Sequence, residues 1–404
     1  MITKSINSGF HHLFRFHVDR SLLEITLFQF FCNLGTNLIA LSLPFYLYQN
    51  LEYQVWQICV FFLAWQTAFV LIIPFVGTFI ERFGLKHSMG FQSFATALFW
   101  IVLPFLVQGE LWMDLLRMAP FFLLRASAVG VSEVSYDIFL THHMDDASRG
   151  KTIAWIQIAI MATVIMAPFL GGLITYFIGF EWTAVVAFVA FLISGIVLLF
   201  TPDEKFHVPY TPKELLRDTF KRDSRSVFVA EGGRVFFDAI LWLVWPIFLI
   251  LILKNIVTMG ILVGISSGIS MMLIYCIGRR IDQGGVSEKT LRFGSYRSTV
   301  LNFLRGILWD PFLLAIVDVL HKINFDTLKV SYDVQMQRWL RRRNTFERAH
   351  IRWMIVENIY MLAVAFFTIL FILFQESTQI IFIIIFCVGS LANLGIQAIS
   401  NSRE

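Results

Sequence analysis

Stretches of about 20 apolar residues recur along the whole chain, and they limit what it can fold into. A helix rises 1.5 Å per residue, so about 20 residues cross the roughly 30 Å of a bilayer's hydrocarbon. Only helices or closed barrels satisfy their own backbone there. Such stretches fall at 22–48, 54–79, 88–108, 111–137, 152–178 and 181–201, then at 227–253, 256–278, 291–308, 309–333, 351–374 and 377–398. An all-α membrane protein with twelve transmembrane helices is expected, the ninth stretch being short.

Composition agrees. Hydrophobic residues make up 57% of the 404 and charged ones 15%, against about 45–50% and 25% in soluble domains. The net charge of +4 is too small to suggest nucleic-acid binding. Cys32, Cys59, Cys276 and Cys387 stand alone in apolar runs, which gives neither a disulfide framework nor a CxxC site. Adjacent His142 and His143, followed by Met144, Asp145 and Asp146, would point about 100° apart on a helix, so no metal site is expected there. No GxSxG, Walker or HExxH pattern is present, and neither an enzyme nor a cofactor is expected.

Residues 1–20 are too long and polar for the start of a signal peptide and read as a cytoplasmic lead-in. Segment 202–226 is the long polar interruption, and Thr211, Pro212 and Glu214 form a capping-box pattern. It predicts a short amphipathic helix with Leu215, Leu216 and Phe220 on its apolar side. Lys and Arg mark cytoplasmic loops. With the N-terminus inside, those loops hold Arg82, Lys86, Arg149, Lys151, the linker cluster, Arg279, Arg280, Arg341 to Arg343 and Arg352, while the external loops hold little beyond Lys254. Both termini are therefore expected in the cytoplasm, with 399–404 as a short tail.

The halves repeat. Gly77, Glu81 and Gly84 recur as Gly278, Asp282 and Gly285, each 201 residues on. Pro44 recurs as Pro246, Leu111 and Trp112 as Leu308 and Trp309, and Val134 to Asp137 as Val330 to Asp333. Two similar six-helix bundles, 21–201 and 227–398, are expected.

GTFIERFGLKH between the second and third stretches is similar to the GxxxDRxGRK loop of the major facilitator superfamily (MFS). Gly77, Glu81 for the usual aspartate, Arg82, Gly84 and Lys86 carry the likeness, with Gly278, Asp282 and Gly285 as its copy. The resemblance implies the MFS fold and a secondary transporter working by alternating access, and makes these residues a cytoplasmic gate held by charge pairs and a helix dipole. Pro168, Gly171 and Gly172 are similar to the tail of a GPxxGG signature associated with export by antiport. They equally suit a kinked, closely packed helix. Arg125 and Gly130 resemble an intramembrane arginine followed by a glycine. The resemblance also implies that spans one, four, seven and ten line the central cavity.

Charges near the bilayer centre cost about 2.5–3.5 kcal/mol each and mark candidate sites. Asn33 and Asn37 follow Gln29 at spacing four in span one; Arg125, Glu133 and Asp137 lie in span four. Glu231, Arg234 and Asp238 share one face of span seven; Asp318, His321 and Lys322 lie in span ten and Glu357 in span eleven. Within single helices, Arg234 pairs with Asp238 and Lys322 with Asp318 in the simplest reading. In the functional reading Glu231 and Asp238 exchange protons first. Arg305 is expected to snorkel to the outer head groups.

Mixed charge beside aromatic residues such as Trp242 and Trp245 suits a small amphipathic or zwitterionic solute moved with protons. A lipid or glycolipid flippase and a non-transporting sensor are the alternatives. A monomer in a bacterial inner membrane is expected, the absence of NxS and NxT sequons fitting that location.

Overall fold

A computed structural model describes residues 20–106, 110–143, 149–199, 203, 207–208, 210–219, 224–284, 288–341, 344–375 and 377–401. At 20–21, 143, 149–155, 273–284, 288–290, 330, 334 and 400–401 only the backbone is described. The described residues are helical, with no strand among them.

The first half runs α1 (Arg20–Gln49), α2 (Val55–Ile72), a 3₁₀ turn (Ile73–Phe75) into α3 (Val76–Phe83), α4 (Leu85–Val102), α5 (Leu111–His143), α6 (Arg149–Phe177) and α7 (Phe180–Leu199). A short α8 (Pro212–Thr219) follows. Then come α9 (Arg225–Ala239), a π turn (Ile240–Val244), α10 (Trp245–Leu253), α11 (Ile256–Gly284), α12 (Glu288–Ile307), α13 (Pro311–Leu340), α14 (Thr345–Leu373) and α15 (Thr378–Ala392), extended by a 3₁₀ segment (Asn393–Asn401). The π turn sits just before Pro246, which has no N–H for the carbonyl four residues back and whose ring presses on it.

Among the described residues, nine helices are long and apolar enough to cross a membrane. The α11 stretch qualifies only as the shorter Ile256–Met272, and α12 and α13 do not qualify. Much of the polarity near their middles faces inward, although Arg292, Arg297 and Lys329 are exposed. On α12, Ser295, Ser298, Asn302 and Arg305 are buried, whereas Phe293, Tyr296, Val300, Phe303 and Ile307 recur at spacings of three and four on the exposed side. Mean hydropathy averages over such a helix and misses the apolar stripe it turns outward.

Helix α1 packs on α6 and α7, α4 on α5 and α7, and α2 on α5; α12 packs on α13 and α15, α11 on α13, and α9 on α14. The halves meet where α6 runs along α11 and where α14 crosses α2 and α5. In lipid, close backbone approach replaces the hydrophobic drive between helices. A Cβ added to Gly171 would stand 2.2 Å from the Leu38 carbonyl oxygen of α1, and one on Gly172 2.9 Å from that of Ile256 on α11. Pro168, whose carbonyl faces Gly260, completes this contact.

The linker forms the expected cap. Thr211 Oγ1 accepts from the Glu214 N–H at 3.3 Å, and Glu214 Oε2 accepts from the Thr211 N–H at 2.8 Å. Leu215 is buried, Leu216 is exposed, and Phe220 lies outside the described residues.

Candidate functional site

Ionisable side chains from three helices meet at the end of the molecule that carries the linker. Arg352, eight residues into α14, donates through NH1 to both Asp137 oxygens on α5 at 3.1 and 2.9 Å. Its Nε donates to Glu231 Oε1 on α9 at 2.7 Å. Arg234 donates to Glu231 Oε2 at 2.6 Å and also to Asp238, and Trp353 Nε1 donates to Asp137 Oδ2 at 2.8 Å. Spacings of three and four put Glu231, Arg234 and Asp238 on one face of α9, and tertiary packing adds Arg352. Beside this network Thr141 Oγ1 donates to Gln337 Oε1 at 3.1 Å, again from the first half to the second.

The expected Arg234–Asp238 pair is present, but Arg234 is shared with Glu231. Glu231 is fully buried between two guanidinium groups, which fix it as an anion bridge. Glu357 is held by Gln66 of α2. Glu133 has no hydrogen bond or ion pair among the described residues. Asn33 turns back to Gln29 on its own helix, and Asn37 donates to Thr163 of α6 at 3.2 Å.

Two expectations for the second half are corrected. Asp318 does not neutralise Lys322. It accepts from Arg305 of α12 at 2.8 Å, and Lys322 donates to the Val263 carbonyl and the Ser266 and Ser267 hydroxyls of α11. Arg305 does not snorkel. It is 1% exposed and lies 3.6 Å over the Trp245 ring, with His321 Nδ1 at 3.4 Å. Trp245 is therefore buried beneath an arginine rather than lining a cavity wall, while Trp242 is exposed. The spacing of four from Asp318 to Lys322 made an internal pair plausible, but Arg305 reaches the carboxylate from a neighbouring helix.

A cavity of about 110 Å³ opens between α6, α11 and α13, lined by Gln157, Ile160, Met161, Val164, Ser267, Lys322, Asp326, Lys329 and Asp333. Asp326 accepts from Ser270 at 2.6 Å. Lys329 and Asp333 have no hydrogen bond or ion pair among the described residues. The steps 322, 326, 329 and 333 follow one helical face, a signal present in the sequence that would have singled out Asp326 and Lys329.

The expected gate residues hold the linker. Glu81 meets His207 Nδ1 at 2.6 Å, and buried Lys86 meets Glu24 of α1 at 3.2 Å. Arg82 lies over the Phe83 ring. Gly84, at φ +86°, turns α3 into α4, and Asp203 accepts there from the Lys86 and His87 N–H groups at 2.9 and 2.8 Å. The α4 N-terminus is thus capped from 117 residues away in sequence. Gly77 stands beside Val208 and His350, and His350 Nε2 donates to the Ile73 carbonyl at 2.6 Å, leaving Nδ1 to accept from Tyr210 at 3.0 Å. Burial pushes the Tyr210 hydroxyl up from its ordinary value. In the second copy, Gly278 and Asp282 belong to the α11 backbone, with the Asp282 side chain outside the described residues, and Gly285 lies outside them altogether. Of the string 142–146, Met144, Asp145 and Asp146 lie outside them too.

The family model of the Major Facilitator Superfamily matches residues 25–309, more than half of the chain. The chain belongs to that superfamily. A solved structure described as a bacterial homologue of the iron transporter ferroportin in an inward-facing state is similar, with a TM-score of 0.66 at 11% identity. The match covers 95% of this chain and 98% of that one, and it shows the fold alone. No curated protein sequence matches the chain.

Proposed function

We propose that this superfamily member is a secondary transporter of twelve spans in two six-helix bundles, 21–201 and 227–398, joined by the linker 202–226. It moves a small amphipathic or zwitterionic solute by alternating access, both termini lying in the cytoplasm of a bacterial cell. One observation carries the reading: Asp137 of the first half pairs across the junction with Arg352 of the second, which Glu231 grips from within its own half. Ion pairs between two bodies can break and re-form as the bodies rock, whereas pairs within one helix would leave the junction indifferent to that motion.

The space between α6, α11 and α13 supplies both signs of charge, Lys329 and Asp333, beside an apolar wall of Ile160, Met161 and Val164. That chemistry fits a zwitterion with an apolar portion. Proton coupling falls to Glu133 and Glu357, which have no cation at ion-pair distance among the described residues, rather than to Glu231. Protons bound on one side and released on the other would drive the solute outward, in exchange.

The test is flux in proteoliposomes loaded with radiolabelled amphipathic zwitterions, with and without a pH gradient. Solute exchange that accelerates with the gradient, and loses that dependence in Glu133→Gln or Glu357→Gln, is expected. Binding without flux in every condition would sink the transport reading, and movement of labelled lipid alone would replace it with a flippase.

A further inference from the structure

Arg125 lies midway along α5, fourteen residues from Leu111 at its start. Its guanidinium carbon stands 4.1 Å from the Trp65 ring centre and 5.2 Å from those of Phe99 and Trp100. No hydrogen bond or ion pair of this side chain is formed among the described residues, and its buried Nε has no acceptor. Glu357, the carboxylate whose charge it feels, is already held by Gln66.

The geometry separates two uses of the same group. Stacking on rings engages the face of a guanidinium, while all five N–H bonds lie in its plane and point outward. The aromatic cage therefore holds the cation in place and leaves its donor fork unsatisfied. Direction follows from the helix. Leu116, strongly exposed on the outer side of α5, is nine residues away and so about 180° round the axis. Arg125, Val129, Glu133 and Tyr136 share the other side and are partly exposed, towards α14, which packs on α5. Arg125 thus stands on the side of α5 where the halves meet, not on the side turned to lipid.

We propose that Arg125 is a binding residue that receives a carboxylate of the transported molecule in its in-plane fork, with the Trp65, Phe99 and Trp100 rings holding the guanidinium in place. The assignment rests on the transport reading and adds the chemical group to it. A carboxylate matches the fork with two parallel hydrogen bonds, which a lysine at the same place could not supply.

The experiment uses the purified full chain and three small probes: benzoate, 3-phenylpropionate and the neutral benzamide. Melting temperature and tryptophan fluorescence are followed in titration. Saturable responses to both carboxylates are expected and none to benzamide. Arg125→Gln should weaken benzoate at least tenfold, Arg125→Lys less. Should Arg125→Gln not fold, the wild-type chain is treated with the arginine reagent phenylglyoxal, and benzoate should slow modification of Arg125 several-fold in peptide maps. Absence of saturable carboxylate binding, an equal response to benzamide, or benzoate binding unchanged in Arg125→Gln overturns the proposal. Flux without carboxylate binding would sink this site alone; carboxylate binding without flux would leave it standing and sink transport.

Discussion

Arg352 and Asp137, 215 residues apart in sequence, face each other with one guanidinium nitrogen between both carboxylate oxygens, and this contact ties α14 to α5. Both side chains are at least nine-tenths buried. Removing one partner of such a pair leaves the other charge without compensation and costs about 3–5 kcal/mol, while removing both costs far less. Arg352→Gln alone should therefore lower the melting temperature more than Arg352→Gln combined with Asp137→Asn. A double mutant as unstable as the sum of the singles would show that the pair adds nothing.

The same logic applies to Arg305 and Asp318, which pair inside the second half. Arg305→Met should destabilise the chain by about 3–5 kcal/mol, and adding Asp318→Leu should restore much of the loss. Flux per folded molecule should change little in the double mutant, since neither residue lines the space between the halves. Thermal melts and flux measured on the same preparations separate the two effects.

Gly171→Ala places a methyl group against the Leu38 carbonyl oxygen, a backbone atom that cannot swing aside. Helices α1 and α6 must separate, at a cost of about 1–3 kcal/mol. Ala at Gly232, where the nearest atom is 3.8 Å off, is the control and should melt like the parent.

Glu214 gives a pH dependence of known sign. Hydrogen bonds from Thr211 lower its carboxyl below the ordinary value, and the group is fully exposed. Its cap on α8 is therefore fully present above the ordinary carboxylate range and lost as pH falls through the lowered value. Amide protection in Pro212–Thr219, taken relative to the intrinsic exchange rate at each pH, should hold from neutral pH to about 5 and fall in stronger acid. In Glu214→Gln, protection there should be lower at neutral pH, lack that step and converge with the parent in acid.

Most spans were legible because hydropathy reports helices that bury little charge. It failed for α12 and α13 for a physical reason: Ser298, Asn302, Arg305 and Asp318 turn inward, Arg305 to Asp318, Ser298 to His321 and Asn302 to Ser390, so the average hides an apolar outer stripe. The face holding Glu231, Arg234 and Asp238 was readable from spacing. Its partner Arg352 was not, since an arginine near a helix start looks like a loop charge until folding sets it against α5 and α9. Asp203 was equally hidden, because no local pattern indicates a cap supplied from so far along the chain.

That cap changes what the linker is mechanically. Asp203 pins it to α4 and His207 to Glu81, while Tyr210 and Thr219 reach His350 and Met354 on α14. A segment gripped in this way on both bodies has little slack. It acts as a strap over the junction at this end, and in the proposed transport cycle any opening there would have to peel it from one side first, so its grip would add to the barrier for exposing the site to the side where the linker lies.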